Sequence, residues 1–164
     1  GDKMMKVMII SDTHSHEENL EKILQEEGMP DHLIHLGDSE KGEHAIRNLV
    51  TCPLHMVAGN CDFFSNLPKT QIIEIGRQRI LITHGHYYYV SVGTRDLVEE
   101  AKVNHCTIAM FGHTHKPFVD QSDPELTVLN PGSLSFPRQE GRRPSYITMD
   151  LEENKAPVYE IHYL

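Results

Sequence analysis

The sequence contains no tryptophan, only three cysteines, and no cluster of lysine or arginine. Cys52, Cys61 and Cys106 are odd in number and lack CxxC spacing, which argues against a disulfide framework and against a thiolate zinc site. A formal net charge of −9 without a basic run argues against long nucleic acid, whose binding rests on neutralised backbone phosphates. It leaves room for a small phosphorylated substrate, because bound divalent cations supply positive charge locally. Long apolar runs are missing too: nothing approaches the roughly 20 residues of a membrane-spanning helix, and no signal-peptide pattern is present. A reduced, cytoplasmic setting without a membrane partner is therefore expected. Aromatics are modest at 7% and charged residues ordinary at 24%. Gly1-Asp2-Lys3 ahead of Met4-Met5 reads as a cloning remnant, and residues 4–164 as one compact domain.

What is present is an alternation. Val7 to Ile10 reads as a buried strand, and Glu17 to Gln25 carries Leu20, Ile23 and Leu24 at helical spacing. His32 to Leu36 is a second strand, Ala45, Ile46, Leu49 and Val50 mark a second helix, and Leu54 to Ala58 is a third strand. Strands and helices in that order predict right-handed βαβ crossovers and a parallel sheet. Gln71 to Ile75 and Arg79 to Thr83 flank Gly76-Arg77-Gln78, a hairpin signal. Leu97, Val98, Ala101 and Lys102 predict a third helix, with Thr94 as N-cap and Asp96 in its first turn. Thr107 to Phe111 is a buried strand, and the rest reads as β: Phe118 to Gln121, Leu126 to Leu129, Tyr146 to Leu151 and Val158 to Ile161. The predicted fold class is α/β: a two-sheet αββα sandwich with its polar loops gathered at one edge.

Five polar clusters recur, four directly after apolar β-like runs and one, Gly59-Asn60-Cys61-Asp62, after the shorter LHMVA; the four are Asp12/His14, Gly37-Asp38, His84-Gly85-His86 and Gly112-His113-Thr114-His115. Loops at the carboxyl edge of a sheet converge, so these clusters predict one metal centre built from many strand ends. Of the twelve histidines, His14, His84, His113 and His115 stand out as ligands, each at a strand mouth beside Gly, Asp or another His. His16, His32, His35, His44, His55, His105 and His162 fall inside helices or strands or near the terminus, and read as ordinary surface or core residues. Asp12 and His14, one residue apart, would point to the same side of an extended segment and hold one ion together. His113 and His115 share that spacing and would face one ion or straddle two. Asp38 can bridge two cations through its oxygens, and Asn60 adds a neutral oxygen. A mixed imidazole and carboxylate set suits Mn, Fe, Zn or Ni, and is richer in imidazole than Mg or Ca sites usually are.

D-x-H, G-D, G-N-x-D, H-G-H and G-H-T-H in this order resemble the calcineurin-like metallophosphoesterase superfamily, most closely its small bacterial and archaeal phosphodiesterases. The resemblance runs from Asp12 to His115 and on to Asn130-Pro131-Gly132-Ser133, expected as a turn beneath the site. It implies a dinuclear site at the sheet edge. One ion would be held by Asp12, His14, Asp38 and His115, the other by Asp38, Asn60, His84 and His113. A hydroxide bridging the ions would attack phosphorus in line. The implied activity is hydrolysis of small phosphodiesters with two divalent ions, Mn first among them, in a chain that pairs as a homodimer or homotetramer.

The departures from the pattern are informative. Many members read G-N-H-D, where the His protonates the leaving oxygen and the Asp orients it; here Cys61 stands in its place. A thiol is a poor donor, which favours activated diesters over alkyl monoesters. Asp62 is left to position Asn60 or bind water. The Arg residues of the protein phosphatases are absent after Asp38 and Asp62, which argues against a phosphoprotein substrate. His86 reads as a phosphate contact, a proton carrier or a supporting residue. Tyr87, Tyr88 and Tyr89 read either as a stacking wall or as a loop packed over the sheet edge. The competing functions are a small-molecule phosphomonoesterase, which Cys61 speaks against, and a non-catalytic scaffold of the same fold, as in the resembling retromer subunit.

Overall fold

The structure is a computed structural model that describes residues 4–63, 65–135 and 143–164. The Gly1-Asp2-Lys3 segment and Phe64 lie outside the described residues. The chain runs β1 (Met4–Ile10), α1 (Glu18–Glu27), β2 (His32–His35), α2 (Glu43–Leu49), β3 (Leu54–Met56), β4 (Thr70–Ile75), β5 (Gln78–Thr83) and α3 (Arg95–Val103). It continues through β6 (Ile108–Met110), β7 (Phe118–Asp123), β8 (Leu126–Asn130), β9 (Ser145–Glu152) and β10 (Val158–Tyr163).

Two mixed sheets result, ordered β10-β9-β1-β2-β3 and β4-β5-β6-β8-β7. The first three strands pair in parallel, as do β5, β6 and β8, while β9, β10, β4 and β7 are antiparallel additions. Val7 and Ile9 enter the core between the sheets with Ile80, Ile82, Met110 and Leu129. Met8 and Ile10 pack outward against Leu20, Ile23 and Ile46 of α1 and α2. On the other side Leu81 and Ala109 meet Leu97 and Ala101 of α3. Positions covered on both faces need apolar residues throughout, which is why Val7 to Ile10 and Ile80 to Ile82 read as unbroken runs. This is the αββα layering.

Several local expectations need correction. Thr94 occupies the N-cap position of α3, but its side chain makes no capping bond; at φ −103° and ψ 4° only its carbonyl is engaged, by Val98 N at 2.9 Å. The strand at Leu54 ends at Met56 rather than Ala58, because Ala58 N turns away to Pro68 O at 2.8 Å. The Gly76-Arg77-Gln78 turn is shorter: Ile75 pairs with Gln78, with Gly76 at φ +59°.

Candidate metal centre

The carboxyl ends of β1, β2 and β3 in one sheet, and of β5 and β6 in the other, open on the same edge. The loops there are laced together by main chain. Asp12 N donates to Gly37 O at 3.0 Å, His14 N to Asp38 O at 2.8 Å, and Gly112 N to His84 O at 3.1 Å. His113 N donates to Asp12 Oδ2 at 3.1 Å, joining the two sheets at the site itself.

The extended Asp12-Thr13-His14 segment expected from spacing is not what the chain adopts. Asp12 (φ 55°), His14 (46°), Asp38 (59°), His113 (69°) and His115 (62°) are all left-handed. Asp, Asn and His tolerate that region better than most residues, yet each instance costs on the order of 1–3 kcal/mol and persists only where the surroundings enforce it. Left-handed residues turn these side chains inward from loops that would otherwise run on past the sheet.

The distances define two nests. Asp12 Oδ1 is sealed from solvent and makes no hydrogen bond among the described residues. It faces Nε2 of His115 at 3.1 Å, of His14 at 3.7 Å and of His84 at 3.8 Å. Ligands at bond lengths near 2.1 Å sit about 3.0–3.4 Å apart around one ion, so this crowd of imidazole nitrogens about a carboxylate oxygen fits a cation. In the second nest His113 Nδ1 lies 3.2 Å from both Asn60 Oδ1 and His84 Nε2. Asp38 stands between the nests, its Oδ2 3.2 Å from His84 Nε2 and 3.8 Å from His14 Nε2. Thus His113 and His115 diverge, one to each nest. Ligand atoms also converge within 4.8 Å in the sets Asp12/His14/His115, Asp12/Asp38/His84 and His14/Asp38/Cys61, so the thiol faces the site as well.

Supporting contacts fix proton positions. His84 Nδ1 donates to Leu36 O at 2.8 Å, an acceptor only, which leaves the Nε2 lone pair for the nest. His14 Nδ1 meets Glu40 Oε1 at 2.7 Å, the carboxylate–imidazole pairing common behind metal ligands. Ser11 Oγ donates to Asp12 Oδ2 at 2.6 Å. Burial pushes the Asp12 carboxyl up, but His115, His84 and Ser11 outweigh it and hold the group below its ordinary value. Burial acts likewise on Asp38, and His84, the Cys61 amide and His14 hold it well below the carboxylate range. Burial, then the carboxylates of Asp38, Glu40 and Asp62, pushes the Cys61 thiol up to about 11, so it stays protonated at neutral pH.

Asp62 is spent on the backbone. Its Oδ2 accepts from Gly59 N at 2.7 Å and Asp38 N at 2.9 Å, and its Oδ1 from Glu40 N at 2.6 Å. It clamps the loop after β2 to the loop after β3. His86 lies with its ring 5.5 Å from that of His84 and 6.3 Å from that of His113, and its Nδ1 is buried without a hydrogen bond among the described residues. The three tyrosines divide: Tyr88 packs on the α3 core, while Tyr87 and Tyr89 stand out, 55% and 69% exposed. Beneath the site Ser133 Oγ donates to Asp12 O at 2.8 Å, and Asn130 Nδ2 to Gly112 O at 3.1 Å.

Sequence reasoning passed over two contributors. His35, read as ordinary, is fully buried; its Nδ1 accepts from Gly37 N at 3.1 Å and its Nε2 meets Thr13 Oγ1 at 2.9 Å. Burial lowers its pKa to about 4, which keeps it neutral and able to accept. Its position two residues before Gly37-Asp38 was the available signal. Glu40, behind His14, had none beyond proximity to Asp38.

Gly59 lets the two loops approach. A Cβ there would fall on Asp38 Oδ1 and close to Asp38 N. Gly59→Ala is expected to destabilise the fold by about 1–3 kcal/mol and to displace the Asp38 carboxylate. Denaturant unfolding and a metal titration of the variant check this; wild-type midpoint and affinity would show that the loop has room.

Comparison with known proteins places this geometry in context. The family described as the calcineurin-like phosphoesterase superfamily domain matches residues 5–154. A probable metallophosphoesterase of Bacillus subtilis, YsnB, is 34% identical over 155 residues, covering 94% of this chain and 89% of its own. The Escherichia coli phosphodiesterase YfcE is 30% identical over 173 residues, covering 90% and 88%. Among solved structures, a predicted phosphoesterase from Streptococcus pneumoniae superposes with a TM-score of 0.82 at 26% identity, over 99% of this chain and 90% of that one.

Proposed function

The chain belongs to the calcineurin-like phosphoesterase superfamily, and on that premise we propose that it is a phosphodiesterase that uses two divalent metal ions to hydrolyse small diesters. The observation that carries the reading is the pair of nests sharing Asp38, with the unbonded Asp12 Oδ1 ringed by imidazoles. Asp12, His14, Asp38 and His115 would hold one ion, and Asp38, Asn60, His84 and His113 the other. Mn²⁺ is the ion proposed first; Fe, Zn and Ni suit the same donor set. Ions held there would lower the pKa of a bound water towards neutrality and would neutralise phosphate oxygens.

The chain's own groups set the rest. His84 and His14 are held by Leu36 O and Glu40 with their Nε2 lone pairs inward, so the ligands are oriented before any ion arrives. Asp62 keeps the Asp38 turn against the Asn60 loop, and acts as a positioning residue through three amides. Cys61, whose thiol faces the site, would offer the leaving oxygen only a weak donor. A preference for good leaving groups follows from that weakness, and the name of the relative YfcE supports the choice of a diester.

The test is reconstitution. Verified metal-free protein is expected to be inactive on bis(p-nitrophenyl) phosphate, and to regain turnover as two equivalents of Mn²⁺ bind. Full turnover without metal, or saturation at one ion, would sink the dinuclear reading.

A further inference from the structure

The wall beside the Asn60–His84–His113 nest carries a cation that the motifs did not flag. After β3, Ala58 N donates to Pro68 O at 2.8 Å, so Lys69 follows the point where the chain is tied back. Its ammonium donates to Tyr87 Oη at 2.7 Å and stands 4.9 Å from the centre of that ring. Tyr87 in turn lies against His86, ring centres 4.3 Å apart and planes tilted by 38°, and the His86 ring lies 6.3 Å from that of His113. Lys69 therefore ties the loop after β3 to the loop after β5, the two loops that supply Asn60 and His84.

The partner in this tie is uncharged. Arg47, Arg79 and Lys102 each answer a carboxylate, at 3.1, 3.0 and 2.7 Å. Lys69 answers a neutral phenol, and among the described residues no carboxylate pairs with it. An ammonium has three donors, of which the phenol takes one. Positive charge is thus uncancelled at the rim, beside a tyrosine ring that is 55% exposed. Ring face and spare donors together suit a planar group bearing oxygen acceptors.

We propose that Lys69 and Tyr87 form the subsite for the non-departing arm of the diester, and that this arm is an aromatic group bearing carbonyl or anionic acceptors, the chemistry of a nucleotide. The inference rests on the phosphodiesterase reading above. His86 stands between His113 and Tyr87, so the Tyr87 ring is set apart from the nest, and in a nucleotide the sugar would span from the phosphate to a base on that ring. A quaternary ammonium arm would be repelled by Lys69.

Two substrates with the same leaving group separate arm recognition from chemistry: the p-nitrophenyl esters of thymidine 5′-phosphate and of phosphorylcholine. Wild-type protein loaded with Mn²⁺ is expected to prefer the thymidine ester. Lys69→Met should raise its KM about tenfold, the worth of one charge-assisted hydrogen bond, with the loss on KM rather than kcat. KM for the choline ester should hold or fall. Lys69→Arg should restore the preference, and Tyr87→Phe, which keeps the ring, should lose less than Tyr87→Ala. Calorimetric binding of thymidine 5′-monophosphate should weaken in parallel, while metal content stays constant. Equal changes for both esters, or none, would make Lys69 a loop tie only and overturn the subsite. If the wild type binds two ions yet hydrolyses neither ester, it is the phosphodiesterase reading that fails.

Discussion

Replacing Asp38 by alanine is expected to strip both ions from the site and to lower diester turnover on the order of a thousandfold or more. The figure follows from the milder case: loss of a residue that merely supports a ligand typically costs about 10–100-fold, and a shared ligand serves two ions at once. Asp38 is 3% exposed, its Oδ1 takes the Cys61 amide at 2.8 Å, and its Oδ2 lies between His84 and His14. Without that carboxylate, His84 keeps its bond to Leu36 O but loses its nearest anionic neighbour. His115→Ala is the contrast. His115 contacts Asp12 Oδ1 from one side only, so its loss should weaken the Asp12/His14 nest and leave the ion at Asn60, His84 and His113. Metal stoichiometry measured beside turnover separates the two: near zero ions for Asp38→Ala, near one for His115→Ala. Asp38→Asn, similar in size but uncharged, tests whether charge or shape matters. Two tightly held ions and wild-type turnover in Asp38→Ala would show that the bridge has been assigned to the wrong residue.

The parts legible in the sequence are those whose cause is local. Parallel strands must be apolar wherever both faces are covered, so Val7 to Ile10, Ile80 to Ile82 and Ile108 to Met110 announced β1, β5 and β6. Because each such strand ends at the same edge, the polar residues just past those ends were predictably neighbours. Parts that depend on distant chain were not legible. Spacing alone made Asp12 and His14 neighbours on an extended segment; they do converge, but through left-handed residues stabilised by the parallel Gly37-to-Ser39 loop. His35 holds Thr13 from 22 residues away, Lys69 finds Tyr87 across 18, and Ser133 supports Asp12 across 121. Thr94 shows the opposite error: a sound local rule named the right residue for a cap whose side chain does not bond.

Cys61→His is expected to speed poor leaving groups by about 10²–10⁴-fold, the usual yield of a placed general acid, while changing p-nitrophenyl diesters far less. The thiol sits where its Sγ and the ligand atoms of His14 and Asp38 lie within 4.8 Å of one another, so an imidazole on this backbone would reach the departing oxygen. Whether it would be well oriented turns on Asp62. Both carboxylate oxygens already accept backbone amides, two on Oδ2 and one on Oδ1, so Oδ1 retains the greater capacity to take an imidazole N–H. Asp62→Asn in the Cys61→His background should therefore erase much of the gain, and should also loosen the Asp38 turn. Cys61→Ala is the other arm. If the thiol only stands in for a missing acid, aryl diester rates should change modestly and both ions should remain. A leaving-group series across wild type, Cys61→His and Cys61→Ala, at matched metal content, reads these slopes directly. Three parallel lines would mean that position 61 does not meet the leaving group. Collapse of Cys61→Ala with one ion lost would make the thiol a metal ligand; collapse with both ions bound would place it in the chemistry itself.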